Sequence, residues 1–380
     1  MLFGGVTVVT PPAVTRFIFA GEAGRPGNTA SRLADFSGNN RHLEQSYGPS
    51  QPAPVVDAWG KPTYRMNPAG AATSWVGPIA SPGGSLTIYT AYNLTENTAS
   101  QYLLDAAQGS QPHSFLLGTG NEELFYTIGG GGVQGANTPL PTGRHIFAWV
   151  IDTDAAKVWV YVDGNLFAGP FTFAGLVPCD TARLGGDYTF GSYSTIGDFY
   201  ALEIARGIEA PAVRIAEIDS LFTRHFAGLP CPSVLRAGTH SQDNQAIRMA
   251  SQPKLAIALK NPDGTFAGTN GATWVREVNT VYENGVAGYS LYGGDGYAFW
   301  FYGTGLTLRG ARLGNGAPIA ITVDGAAPVA GSCFGDRTVG LYAAPITGLA
   351  LGYHYVEVTN TNAPNNNSQV NICNTVVITA

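Results

Sequence analysis

The sequence predicts an all-β protein built as two β-sandwich (jelly-roll) domains, with one short helix closing the first. Three observations point there. Fifty glycines and 24 prolines are scattered through 380 residues, as many turns between short strands require. Runs such as "KVWVYV" and "IAITV" are rich in β-branched and aromatic residues, and several strand segments alternate apolar and polar residues with a period of two, the mark of half-buried antiparallel strands. Only one segment changes to a helical period.

Residues 1–14, "MLFGGVTVVTPPAV", are apolar and broken by Gly4-Gly5 and Pro11-Pro12. They read as an extended arm that docks on a neighbouring subunit by adding a strand. They lack the basic region of a secretory leader, so either a leader has been removed or the protein is used without Sec export. The first sandwich is expected over 15–230. Its strands are "SLTIYTAYNL" (85–94), "HSFLLGT" (113–119), "ELFYTIG" (123–129), "RHIFAWVID" (144–152) and "KVWVYVDG" (157–164). In "EAPAVRIAEIDSLFTRHFAGLP", Ile215, Ile218, Phe222 and Phe226 recur at three- and four-residue steps. Pro211 suits the first turn, and Gly228 and Pro230 supply the stop. Residues 231–253 are polar and irregular and read as a linker. The strand pattern resumes over 254–380 with "YAFWFYGTGLTLRGARL", "IAITVDG", "YHYVEVTNT" and "VNICNTVVITA".

Composition excludes two classes of partner. Charged residues are 12% of the chain, the net charge is −6, and no Lys/Arg-rich run exists, so there is no basic face for a nucleic-acid backbone. No run of about 18 apolar residues exists, so no helical membrane insertion is expected. Four cysteines (Cys179, Cys231, Cys333, Cys373) are too few and dispersed for a disulfide scaffold. Cys333 and Cys373 could meet across strands, and buried thiols are the plainer reading.

Two stretches resemble known families. "LADFSGNNRHLEQS" (33–46), "SLTIYTAYNL" and the pair of strands "GRHIFAWVIDTDAAKVWVYVDGNL" make residues 14–228 similar to the laminin-G/concanavalin-A-like jelly rolls, though the central glycine expected after Val150 is missing. "GGDGYAFWFYGTGLTLRG" (293–310), "ITVDG" and "LALGYHYVEVTNT" (349–361) make the C-terminal part similar to the galactose-binding-like jelly rolls. Both resemblances imply glycan recognition, and both families also serve as inert structural modules. Low charge, abundant glycine and the arm are similar to phage virion proteins.

Candidate chemistry is sparse. Asp163-Gly164 and Asp324-Gly325 each end an alternating strand, and D-G is a favoured hairpin corner. "AEIDSL" (216–221) imitates the E-x-D-x-E of glucanases sharing the concanavalin-A-like fold. It falls in the predicted helix, where Glu217 and Asp219 point about 200° apart, and it ends in Leu221. "GGGGVQG" (129–135) precedes "ANTPLPTG", with no helix to hold a phosphate, and reads as a hairpin loop. The six histidines are isolated, without zinc spacing. Calcium is the one metal the laminin-G resemblance leaves open, through Asp35 and Asn39, whose plainer role is turn formation. Aromatic residues in or beside glycine-rich loops remain: Trp59, Tyr64, Trp75, Tyr188 and Tyr193, with Asp187, in the first domain, and Tyr282, Tyr289 and Tyr292 in the second. Together they are the candidate glycan or partner surface.

The expectation is a non-enzymatic structural or recognition protein of a phage virion (capsid decoration, head fibre or tail), without catalytic residues or cofactor, and a homo-oligomer. Its partners would be other virion proteins and cell-surface glycans. The alternative is a secreted carbohydrate-binding protein or the accessory module of a glycan-degrading enzyme. A hydrolase using Asp105 with Glu122 or Glu123 is a third reading.

Overall fold

A computed structural model describes residues 16–380 except 39–40, 46–49, 68–72, 79–83, 98–99, 109–110, 121–122, 129–133, 137–138, 174–180, 187–193, 227, 242–243, 245, 252–255, 259–273, 279–281, 284–285, 291–293 and 363–370. The expected arm of residues 1–14 lies outside them. The chain divides into two compact units, Met1–Leu229 and Pro230–Ala380.

The first unit is a sandwich of two antiparallel sheets. One runs Asn165–Thr172, Lys157–Val162, Gly143–Asp152, Leu86–Leu94, Gly197–Arg206, Pro62–Met66, Ala53–Val56, with Arg16–Ala20 also paired to Gly197–Arg206. The other runs Gln134–Ala136, Glu123–Ile128, Gln111–Gly120, Gln101–Gln108, Thr181–Leu184, Trp75–Pro78, Leu43–Glu44, Arg32–Leu33. Period-two alternation sends Ile88, Tyr92, Phe147, Trp149 and Leu202 inward to meet Trp75, Leu104, Leu117 and Leu184 of the second sheet.

The outer face of the first sheet is not polar, because the helix Pro211–His225 covers it, against Leu86–Leu94, Gly143–Asp152 and Gly197–Arg206. Pro211 starts the helix, where its missing N–H costs nothing, and Arg224 and His225 occupy the last turn. Ile215, Ile218, Leu221 and Phe222 are buried, each contributing about 1.5–3 kcal/mol of apolar burial.

The second unit has a sheet in the order Ala256–Ala258, Arg248–Ser251, Gly296–Gly303, Gly352–Asn360, Pro318–Val323, Val329–Ser332, with Val234–Leu235 parallel to Gly296–Gly303. A second sheet runs Gly238–Ser241, Thr375–Thr379, Gly305–Ala311, Val339–Leu341, and a third runs Trp274–Val278, Val286–Ser290, Asn371–Cys373. Phe299, Phe301, Ile321, Val356 and Val358 pack with Leu306, Leu308, Val376 and Ile378 in one core.

The linker expected over 231–253 is corrected. Val234–Leu235, Gly238–Ser241 and Arg248–Ser251 are strands of the second unit. The polar residues Thr239, His240 and Ser241 belong to an edge strand, paired on one side to Thr375–Thr379, and do not mark loose chain. Cys231, Cys333 and Cys373 are buried, and burial pushes the Cys333 thiol up to about 12; Cys179 lies outside the described residues.

Candidate functional site

The two Asp-Gly corners share one device. Asp163 and Gly164 both have positive φ (52° and 86°), as a two-residue type I′ turn between Lys157–Val162 and Asn165–Thr172 requires. Asp324 and Gly325 repeat it at 51° and 72°. Asp163 donates its backbone N–H to the Ile146 carbonyl and accepts the Ile146 N–H on Oδ1, both at 2.9 Å. Its Oδ2 lies 2.7 Å from His145 Nδ1, while His145 Nε2 lies 3.0 Å from the Thr142 carbonyl. In the second unit Asp324 makes the same exchange with Tyr355, its Oδ2 lies 2.6 Å from His354 Nδ1, and His354 Nε2 lies 2.9 Å from the Ala350 carbonyl.

A carbonyl and a carboxylate only accept, so both bonds form together when the ring donates from both nitrogens. Burial alone would push the His145 imidazole down. The hydrogen bond and charge of Asp163, with the Thr142 carbonyl, outweigh burial and hold its pKa above the ordinary histidine value. With both ring nitrogens engaged, each Asp–His pair fastens its corner to the neighbouring strand. The histidines were legible only as the Gly-x-His in "TGRHI" and "LGYHY".

Several expected surface aromatics belong to the core. Tyr64 and Trp75 are buried and meet edge to face, centroids 5.1 Å apart, and Trp75 Nε1 donates to the Ala30 carbonyl at 3.1 Å. Tyr282 is buried, and Tyr289 is half-buried against the second core. The glycines that suggested loops have another cause beside Trp75: a Cβ on Gly77 would lie 2.3 Å from the His42 carbonyl oxygen, so glycine there permits close strand approach. Asp187, Tyr188, Tyr193 and Tyr292 lie outside the described residues.

Trp59 differs. It is 46% exposed and stands in the turn at 57–61 between Ala53–Val56 and Pro62–Met66. Asp57 shapes that turn: its Oδ1 accepts the Trp59 and Lys61 N–H groups, each at 2.8 Å, and its Oδ2 accepts the buried Tyr200 hydroxyl at 2.7 Å. Tyr200 meets Phe226, at the end of the helix, edge to face at 5.0 Å. The Arg144 guanidinium lies 3.6 Å over the Trp59 ring and 5.6 Å from the Phe226 ring, and its Nη1 is buried without a hydrogen-bond partner.

Other cations border this patch. Arg224 pairs with Glu203 and Glu217, and Arg25 pairs with Glu22 while lying 3.9 Å over Phe36. His225 is 4% exposed and its Nε2 has no partner. Burial, then Arg224, Arg25 and Lys61, push it down to about 3, so it is neutral. An exposed indole, a stacked guanidinium and a buried unpartnered N–H are the elements of a small-molecule site.

The remaining candidates are engaged in structural contacts or lie outside the described residues. Glu217 is taken by Arg224. Asp105 is buried beside Arg183 across adjacent strands, and Arg183 donates to Ser74 Oγ at 2.9 Å; Glu122 and the side chain of Glu123 lie outside the described residues. Asp35 binds the Ser37 and Arg41 N–H groups and shapes a turn, and Asn39 lies outside. Among the described residues no group of three His, Cys, Asp or Glu side chains could hold a metal.

No protein-family model matches the chain, and no curated protein matches it. Solved structures similar to part of it include Trypanosoma rangeli sialidase in complex with sialic acid, 14% identical over 56% of this chain and 33% of that chain, with a TM-score of 0.38. The same sialidase with the inhibitor DANA is 16% identical over 54% and 32%, TM-score 0.39. The Ruminococcus gnavus IT-sialidase CBM40 bound to alpha2,3 sialyllactose is 18% identical over 36% and 83%, TM-score 0.30. The chain thus spans about a third of the sialidase chains it matches. At these values the likeness assigns neither activity nor ligand. It does overturn one expectation: that the protein has no enzymatic role is withdrawn, because enzymes stand among the similar structures.

Proposed function

We propose that this chain is a glycan-recognition protein whose site is the patch of Trp59 and Arg144. The observation that carries the proposal is Trp59 itself, 46% exposed while Trp75, Trp149 and Trp300 are buried. An indole held at the surface offers a flat apolar face to the C–H side of a pyranose ring. The adjoining guanidinium supplies hydrogen-bond donors. Tryptophan and arginine are also the residues on which binding energy concentrates.

The carrier we propose is a phage particle, with the protein in a capsid-decorating, head-fibre or tail position, in several copies. The support is compositional: 12% charged residues, fifty glycines and an apolar, Pro-interrupted first segment. A secreted carbohydrate-binding protein or the accessory module of a glycan-degrading enzyme would use the same patch.

A glycan array probed with the full chain and with Trp59→Ala tests the site. The parent should bind at least one saccharide, and the variant should lose tenfold or more, about 1.4 kcal/mol. Retained binding by Trp59→Ala removes the site. Stoichiometric recovery of the chain from purified particles, lost on deleting residues 1–14, tests the carrier; its absence leaves the secreted reading.

A further inference from the structure

The patch of Trp59 and Arg144 contains more positive charge than its own acids neutralise. Four of the chain's 20 Lys and Arg side chains, Arg25, Lys61, Arg144 and Arg224, gather around His225, Phe226 and Trp59. Arg224 is satisfied by Glu203 and Glu217, and Arg25 by Glu22. Among the described residues neither Arg144 nor Lys61 has an ion pair, and Arg144 Nη1 is buried with no acceptor. Asp57 is the remaining acid of the turn, and its oxygens already serve two backbone N–H groups and the Tyr200 hydroxyl.

A guanidinium is charged at every relevant pH and presents its donors as a planar fork. Leaving one of its N–H groups buried and unpaired is costly. Stacking on Trp59 fixes the plane of that fork without using any of its hydrogens. The acceptor geometry that fits is a planar or tetrahedral oxyanion, bound at two oxygens. Nε2 of the 4%-exposed His225 is also without a partner, in positive surroundings set by Arg224, Arg25 and Lys61.

We infer that this patch selects saccharides bearing an anionic group, a carboxylate or a sulfate, which Arg144 holds while the sugar ring lies against Trp59. The inference rests on the glycan-recognition reading of the same patch and adds the ligand class to it. Lys61 contributes charge without a fixed geometry.

The test is calorimetric titration of the full chain with three oligosaccharides of one length: neutral, uronate-containing and O-sulfated. Each is run at low and at physiological salt. At least one acidic ligand should bind ten times tighter than the neutral one, by a margin that shrinks with salt. Which acidic arm binds identifies the group as carboxylate or sulfate. Arg144→Met should reduce the acidic preference to less than threefold, and Arg144→Lys should restore part of it. Thermal unfolding of each variant reports whether the fold is intact, and Lys61→Met, on an exposed turn, gives a second variant expected to lower only the salt-dependent part. Equal affinity for neutral and acidic ligands, or an acidic preference unchanged in Arg144→Met, overturns the inference and leaves glycan recognition standing. Binding to none of the three at millimolar concentration, with no hit on the array, removes both.

Discussion

Substituting Asp163 tests the corner device quantitatively. Asp163→Ala removes the acceptor of the Ile146 N–H, a bond of about 1 kcal/mol, and the partner of His145, a charge-assisted bond of about 1.5–3 kcal/mol. It also places alanine at a φ of 52°, which costs roughly another 1 kcal/mol. The sum is about 4 kcal/mol. Asp163→Asn keeps an acceptor for Ile146 and tolerates the left-handed backbone, so its cost is about 2 kcal/mol. A unit of this size loses roughly 2–4 °C per kcal/mol, so scanning calorimetry should show the first-unit transition lower by about 8–16 °C and 4–8 °C respectively. The second-unit transition should not move. Asp324→Ala and Asp324→Asn should do the reverse.

The pH dependence has a definite sign. His145 has a folded pKa above its unfolded value near 6.5. Its contribution is therefore fully present below that value and is lost as pH rises through the folded pKa. The stability of the parent relative to Asp163→Asn should fall as pH is raised above about 6.5, a difference in which the opposite pH dependence of neutral, buried His225 cancels. Equal destabilisation by Asp163→Ala and Asp163→Asn, or a cost of Asp163→Asn that does not shrink as pH rises from 6 to 8, would refute the reasoning.

Three further outcomes follow from the same contacts. Gly164→Ala should destabilise the first unit by about 2–4 kcal/mol in urea, since its Cβ would lie 2.0 Å from Ile215 Cδ1. Gly325→Ala, with open space around it, should cost only about 1–2 kcal/mol, and Ile215→Val should relieve part of the Gly164→Ala loss. Tyr200→Phe removes a donor from Asp57 and should cost about 1.5–3 kcal/mol, read by the same denaturation. Cys333, with its thiol pushed up to about 12 by burial, should resist maleimide at pH 8 in the folded chain and react only on unfolding, as peptide mapping would show.

Local chemistry was legible in the sequence, and long-range partnership was not. Lys157–Val162 alternates in burial, its three valines inward and Lys157, Trp159 and Tyr161 outward, and Pro211–His225 is helical where the apolar period changes. The Asp-Gly corners are turns because positive φ is a property of two adjacent residues. Their histidines lie 18 and 30 positions away, and no local pattern ties them to the carboxylates. Trp75 was misplaced because glycine beside an aromatic serves both loops and tightly paired strands. Gly238–Ser241 was misplaced because an edge strand is as polar as a linker. Arg144 carries no sequence signal: it occupies an ordinary outward position in a strand, and the turn at 57–61, more than eighty residues earlier, brings Trp59 against it.

Asp57 has a consequence for how a ligand would be bound. One carboxylate ties down the turn carrying Trp59, the lysine beside it and the tyrosine beneath, while Arg144 rests on the indole. Such a surface is preorganised. Little conformational entropy would be lost were a sugar to bind, since hydrogen bonds already fix the turn. Breaking the Asp57 hydrogen bonds would therefore weaken binding without touching any group that meets the ligand, and a loosened turn would let the sugar leave sooner.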